Sequence, residues 1–387
     1  MRDMTVPGSD GRDADMILQM SPSKTMQVAA PLSFLMAGLL VVASCSGSKA
    51  RVDDKEGPAD AASDHASASP GGDGGTPTGT DAGHDVSVAP PTLITEPDEG
   101  MTPFYSLISS AKKSIDVTMY EFEDTTASGL LTTAAKNGLA VRVILDQNLE
   151  KRSNTDVYNA LSSGNVQVHW ANPSYAATHQ KTITVDGETS AIMSLNFTPY
   201  YYSTSRDFAV ITSDVADVAA IETTFNADFA STSITPPTGD DLVWSPTNAQ
   251  TALLDVINGA KTSLLVENEE MSAVSIISAL GTTASHGVDV QVVMTASKSW
   301  DSNFTILANA GVRIVTYASN ASLYIHAKVI LADYGESTAR VFIGSENFSD
   351  ASLTENRELG IVTSDPTILT SINGTLTKDF AGGTAYP

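Results

Sequence analysis

Beyond Leu93 this chain is written twice, and that duplication limits its fold more than any other feature. Residues 108–117 recur as 257–266, 149 positions on, and residues 138–145 recur as 287–294 at the same offset. Ser194, Asn196, Arg206 and Asp207 recur as Ser345, Asn347, Arg357 and Glu358 at an offset of 151. Small loop changes absorb the drift, chiefly extra residues near 334–338 of the second copy. Two copies of one domain are therefore expected, over 93–235 and 236–387. The Pro-Pro and Asp-Asp stretch at 236–245 reads as the linker between them.

Within the first copy, short β-branched runs alternate with helical patterns. Strands are expected over 115–120, 141–145 and 166–169, with helices over 127–136 and 155–162 between them. Three further strands, over 181–185, 190–193 and 208–212, follow without room for a helix, and a helix over 215–230 closes the unit. This order of elements predicts an α/β fold, a mixed sheet flanked by helices on both faces and duplicated in the second half.

Each copy carries the pattern His-x-Lys-x-x-x-x-Asp: His179, Lys181 and Asp186, then His326, Lys328 and Asp333. Each is followed by Ser-x-Asn (Ser194, Asn196; Ser345, Asn347) and by an Arg-acid pair ending in Asp207 or Glu358. Residues two apart on a strand share a face, so each His and Lys project together, as do each Ser and Asn. A polar cluster of that kind has no use in an apolar core. A single copy would equally fit the wet side of a surface strand; two copies at matching repeat positions argue for a site.

These residue types suit a tetrahedral oxyanion. Lysine supplies fixed positive charge, while serine hydroxyl and asparagine amide supply neutral donors. Doubling the set matches the charge of a phosphodiester's transition state. Imidazole is both a competent nucleophile at phosphorus and a general acid near neutral pH. Two imidazoles on opposite sides of one phosphorus would permit displacement through a phosphohistidine. Asp207 and Glu358 are placed to orient and charge-stabilise the rings. The acidic runs lack the spacing of a calcium loop, so neither metal nor cofactor is expected.

This doubled pattern resembles the phospholipase D superfamily, whose signature is the paired His-x-Lys-x4-Asp followed by Gly-Ser-x-Asn. The second half carries Gly344-Ser345-Glu346-Asn347 in full, and the first has Met193 in the glycine's place. The resemblance covers roughly residue 93 to the C-terminus. It implies two phospholipase D-like domains packed with pseudo-twofold symmetry around one active site at their interface, working without an obligatory metal. By the same resemblance His179 is the nucleophile, His326 the general acid and base, and Asp186 and Asp333 are structural. The expected activity is cleavage or transfer of a phosphatidyl group by a phosphodiester hydrolase. The alternatives are a nuclease of the same superfamily, a cardiolipin-synthase-like phosphatidyltransferase, and a non-catalytic lipoprotein scaffold, which intact motifs in both halves disfavour.

Charge bears on the partner. From Leu93 onward 15 Lys+Arg face 33 Asp+Glu, within a whole-chain net charge of −24. An acidic surface repels polyanions, so nucleic acid is disfavoured and a phospholipid substrate preferred. The N-terminal region adds a second argument. Residues 31–43 are almost wholly apolar, too short to span a bilayer comfortably, and end at Val42-Ala43-Ser44-Cys45 around the chain's one cysteine. That box resembles a bacterial lipoprotein cleavage site, which makes 1–45 a signal peptide, Cys45 the lipidated residue and Ser46 a pointer to the outer membrane. Residues 46–92, rich in Gly, Ser, Asp and Pro, are expected to be a disordered tether. A monomer anchored at the cell envelope, or otherwise secreted, is the resulting expectation. His65 and His84 fall in the tether, and His169 and His286 are read as surface residues. Tyr120-Glu121-Phe122, 267–271 and the Tyr200–Tyr202 cluster could line a cleft or merely pack loops, and are given no role.

Overall fold

The computed structural model describes residues 89–387. Cys45, the apolar run before it and residues 46–88 lie outside the described residues. No helix among the described residues is long and apolar enough to cross a membrane.

The first lobe runs β1 (Thr92–Glu96), α1 (Thr102–Ser110), β2 (Ser114–Met119), α2 (Thr125–Lys136), β3 (Ala140–Leu145), α3 (Lys151–Ser163), β4 (Gln167–Trp170), β5 (Thr182–Val185), β6 (Thr189–Met193), β7 (Ser205–Thr212) and α4 (Val215–Phe229). The second repeats it as β8 (Leu242–Ser245), α5 (Ala249–Gly259), β9 (Ser263–Glu267), α6 (Val274–Ser285), β10 (Asp289–Thr295), α7 (Asp301–Asn309), β11 (Arg313–Tyr317), β12 (Tyr324–Ile325), β13 (Val329–Ala332), β14 (Arg340–Gly344), α8 (Asp350–Thr354), β15 (Glu358–Thr363), α9 (Pro366–Gly382) and β16 (Thr384–Ala385).

Sheet one has the order β1-β7-β6-β5-β2-β3-β4, and sheet two the order β16-β11-β10-β9-β13-β14-β15-β8. The parallel pairs β2–β3 and β3–β4 need helical crossovers, which α2 and α3 provide; the antiparallel run β5–β6–β7 needs none. The expected α/β class and its duplication are thus the architecture observed.

Strand alternation explains the layers. On β2, Ile115, Val117 and Met119 enter a core beneath α1, α2 and α3, and Leu264 and Val266 of β9 do the same beneath α5, α6 and α7. The opposite faces meet each other. Ile192, Phe208 and Val210 of sheet one pack with Val329, Leu331, Val341, Ile343, Leu359 and Ile361 of sheet two, closed by α4 and α9. Strands buried on both faces explain why β13 and residues 341–343 of β14 read as unbroken apolar runs. Each such fully buried aliphatic side chain contributes about 1.5–3 kcal/mol. Asp124, Asp214 and Asp365 fix the starts of α2, α4 and α9 by accepting backbone N–H groups of the first turn.

Two expectations need correction. The linker read over 236–245 ends sooner, because Leu242–Ser245 is strand β8, paired with β15 and with Trp244 fully buried. The tether read to residue 92 likewise stops short, since Thr92 opens β1 against β7. Both are brief edge strands abutting Pro and Asp, where composition resembles a connection.

The lobes also exchange backbone. β12 leaves its own lobe and pairs parallel with β7, so that His326 N–H donates to Arg206 C=O at 3.2 Å. Reciprocally, Thr178 bridges to Arg357, and His179 N–H donates to Arg357 C=O at 2.9 Å. Each motif histidine therefore hangs from a segment hydrogen-bonded to the opposite lobe.

Candidate active site

The two histidines, two lysines and both acids converge where the lobes meet. His179 Nδ1 lies 2.8 Å from Glu358 Oε2, and His326 Nδ1 lies 2.7 Å from Asp207 Oδ1. The pairing is crossed: each half's acid serves the other half's ring. The acids sit at the starts of β15 and β7, the strands to which the opposing histidine segments are bonded, so the exchange of backbone produces the exchange of partners. Glu358 also accepts from Ser352 and from Asn356 Nδ2 at 2.9 Å. Asp207 accepts from Ser194 Oγ at 2.6 Å and Ser205 Oγ at 2.7 Å.

Burial works against the charge of both acids, but His179 and Lys181 hold Glu358, and His326 and Lys328 hold Asp207, below the usual carboxylate range. A carboxylate on Nδ1 leaves Nε2 as the open nitrogen of His179, while Nε2 of His326 faces Glu269 Oε2 at 3.4 Å. Burial lowers the His179 pKa despite the pull of Glu358, which favours the neutral ring.

Lys181 is 1% exposed and Lys328 fully buried. Each ammonium donates to the carbonyl of its own motif histidine at 2.5 Å. Burial, reinforced by the charge of Lys328, brings the Lys181 pKa down to about 7. Lys328 Nζ is met by Glu269 Oε2 at 3.0 Å, whereas Lys181 forms no ion pair among the described residues, so its charge is left to be met by an anionic group.

The four residues expected to hold phosphate divide. Ser194 donates to Asp207 and accepts Phe208 N–H at 3.0 Å, and Ser345 accepts Leu359 N–H at 3.2 Å. Both are fully buried within the wall, behind the histidine–acid pairs. Asn196 and Asn347 differ: the buried Oδ1 of each has no partner. Met193 and Gly344 end their strands equivalently, but only Gly344 is sterically required, since a Cβ there would lie 2.6 Å from Gly360 Cα. The facing residue in the first lobe is Ala209.

Asp186 and Asp333 stand away from this cluster, at the other ends of β5 and β13. Each has a left-handed backbone (φ 58° and 53°) and folds its carboxylate onto backbone N–H groups, of residues 112–114 and 261–263 respectively. Arg206 and Arg357 are buried too, and also paired across the lobes: Arg206 with Asp379 of α9 at 2.6 Å, Arg357 with Asp228 of α4 at 2.9 Å. His169 and His286 are exposed.

Sequence reasoning left two contributors without a role. Tyr120 sets its ring edge-on to His179, centroids 4.5 Å apart, with Lys181 Nζ 4.8 Å from the Tyr120 centroid. Glu269 contacts Lys328, Asn347 and His326. The 149-residue offset places them at one repeat position, the signal that could have found them. Of the Tyr200–Tyr202 cluster, Tyr200 is exposed, Tyr201 packs beside Tyr324, and Tyr202 donates to Asp124. Among the described residues no group of three His, Cys, Asp or Glu side chains is arranged to hold a metal ion.

Fold and site together define a duplicated α/β protein with one paired-imidazole centre between its lobes. The family model described as "Cardiolipin synthase, PLD-like domain" matches residues 104–229 and again 253–381. The chain belongs to that phospholipase D-like family. Among solved structures it is similar to phosphatidylserine synthase from Haemophilus influenzae, with 12% identity and a TM-score of 0.60, covering 76% of this chain and 87% of that one. It is also similar to polyphosphate kinase from Porphyromonas gingivalis, with 18% identity and a TM-score of 0.59, covering 74% of this chain but only 46% of the kinase. Nuc, a phospholipase D family member from Salmonella typhimurium, is 28% identical over 38% of this chain and 95% of its own, with a TM-score of 0.34. No curated protein sequence matches the chain.

Proposed function

We propose that this protein cleaves a phospholipid phosphodiester through a covalent phosphohistidine. In this reading His179 Nε2 attacks phosphorus as the bond to the leaving alcohol breaks, and His326 Nε2 gives that oxygen its proton. Water then surrenders a proton to His326 and attacks phosphorus, and the P–N bond breaks to restore neutral His179. Lys181, Lys328, Asn196 and Asn347 hold the phosphoryl oxygens, while Glu358 and Asp207 fix the rings' tautomers. The observation that carries this reading is the crossed pair of histidine–carboxylate contacts beside two buried lysines.

A lipid rather than a nucleic acid fits the acidic surroundings. Glu121 and Glu270 are half-buried near the site and held above the ordinary carboxylate range, by burial first and then by neighbouring acids. A polyanion would add to that repulsion. The family description, which names cardiolipin synthase, supports a second reading in which an alcohol replaces water as acceptor. An envelope anchor at Cys45, with a phospholipid surface as partner and the protein a monomer, belongs to the same proposal.

The test offers the protein vesicles of labelled phosphatidylcholine, with and without added alcohol, and separately single-stranded and duplex DNA. Free head group, no DNA cleavage and a labelled adduct on His179 are expected. Phosphatidyl alcohol as the main product would favour transfer; DNA cleavage without lipid turnover would overturn the lipid assignment.

A further inference from the structure

The two halves of the site are not equivalent. The repeat position that holds Tyr120 in the first lobe holds Glu269 in the second. In the first lobe an aromatic ring packs on His179 and Lys181 and brings no charge to either. In the second, Glu269 Oε2 lies 3.4 Å from His326 Nε2, 3.0 Å from Lys328 Nζ and 3.5 Å from Asn347 Nδ2. Its other oxygen accepts the Tyr324 hydroxyl at 2.6 Å. The side chain is 26% exposed.

With Asp207 at Nδ1 and Glu269 at Nε2, an acidic oxygen lies at each nitrogen of the His326 ring. That arrangement is satisfied when both nitrogens carry protons. His179 has its single carboxylate at Nδ1 and a phenol ring on its flank. We infer that Glu269 is a positioning residue that breaks the pseudo-twofold equivalence, keeping a proton on His326 Nε2 and so making His326 the acid and His179 the nucleophile. This inference rests on the phosphohistidine reading above.

Direction of charge supports it. Burial opposes ionisation of Glu269, but Lys328 and His326 outweigh it and hold the carboxyl well below its ordinary range. It is therefore an anion throughout the physiological range. The charged and titratable groups around His326 are Asp207 of β7, Glu269 after β9, Glu121 after β2, and Lys328 and Tyr324 on either side of it in sequence. Of the carboxylates among them, Glu269 is the one within 4 Å of Nε2. An incoming phosphoryl group displaces it from Lys328 and Asn347, so the proton is released toward substrate as the phosphate seats.

The experiment compares wild-type protein with Glu269→Gln on two phosphodiesters, one with a nitrophenyl leaving group and one with an alkyl leaving group. A nitrophenolate departs without a proton, whereas an alkoxide needs one. General acid catalysis is worth about 10²–10⁴-fold, so turnover of the alkyl ester by E269Q should fall at least tenfold. Its nitrophenolate burst, which needs only His179, should persist and also reports an intact fold. Equal losses on both esters would overturn the inference. Absence of any burst from the wild-type protein would instead strike the phosphohistidine reading itself.

Discussion

At the scale of single residues, the buried lysine pair sets the balance between stability and binding. Lys181 is fully enclosed, and burial together with Lys328 brings its pKa to about 7 from an unfolded value near 10.5. The unfolded chain therefore binds more protons between those values, and this group's contribution to stability rises with pH from about 7 to about 10.5. Lys181→Met should raise the thermal midpoint at pH 7, by the equivalent of about 1–4 kcal/mol, and by progressively less toward pH 10. Calorimetry across that range checks the sign; a midpoint that falls at pH 7 would mean the ammonium is already well compensated in the empty site. Under the proposed function the same substitution should remove turnover, because the anionic diester would bind to the charged form. The wild-type KM should accordingly rise above pH 7. These lysines were legible in the sequence because a histidine two residues away appears twice. Tyr120 and Glu269 were not, because unlike side chains at one repeat position look like divergence until their contacts with the rings are seen.

At the scale of elements, the turn that ends β5 and β13 explains the last member of each motif. Asp333 holds a left-handed backbone and gathers the N–H groups of Lys261, Thr262 and Ser263, tying the start of β9 to the end of β13. Backbone bonds hold its carboxyl below the ordinary range despite some burial. Asp333→Ala removes those acceptors and places a methyl-bearing residue at positive φ, which should cost roughly 2–4 kcal/mol. Asp333→Asn, which tolerates that backbone and keeps one acceptor oxygen, should recover about half. Denaturant unfolding measures both. Turnover per folded molecule should be unchanged in each, and a loss there with normal stability would give this aspartate a role in the chemistry. The central strands could be read from the sequence because β-branched alternation marks them. The edge strands β1 and β8 could not: four or five residues between Pro and Asp carry too little pattern, and pairing with β7 and β15 supplies what local propensity lacks.

At the scale of the whole molecule, the exchange between lobes makes the site indivisible. Sequence order places Asp207 in the half of His179 and Glu358 in the half of His326, yet the contacts run the other way. The crossing could not be read from the chain, since spacing along it says nothing about which lobe a strand end faces. It nonetheless sorts the effects of substitution. Glu358→Gln deprives His179 of the carboxylate that fixes its tautomer, so both the burst and steady turnover should fall, by a factor on the order of 10⁴ for comparable triads. Asp207→Asn leaves His179 and Glu358 untouched and should preserve the burst while slowing every later turnover, because His326 then lacks the anion that stabilises it while it carries the proton. Rapid-quench kinetics with the nitrophenyl diester separates the two phases. If Asp207→Asn abolished the burst and Glu358→Gln spared it, the nucleophile would be His326 and the two lobes would exchange their roles.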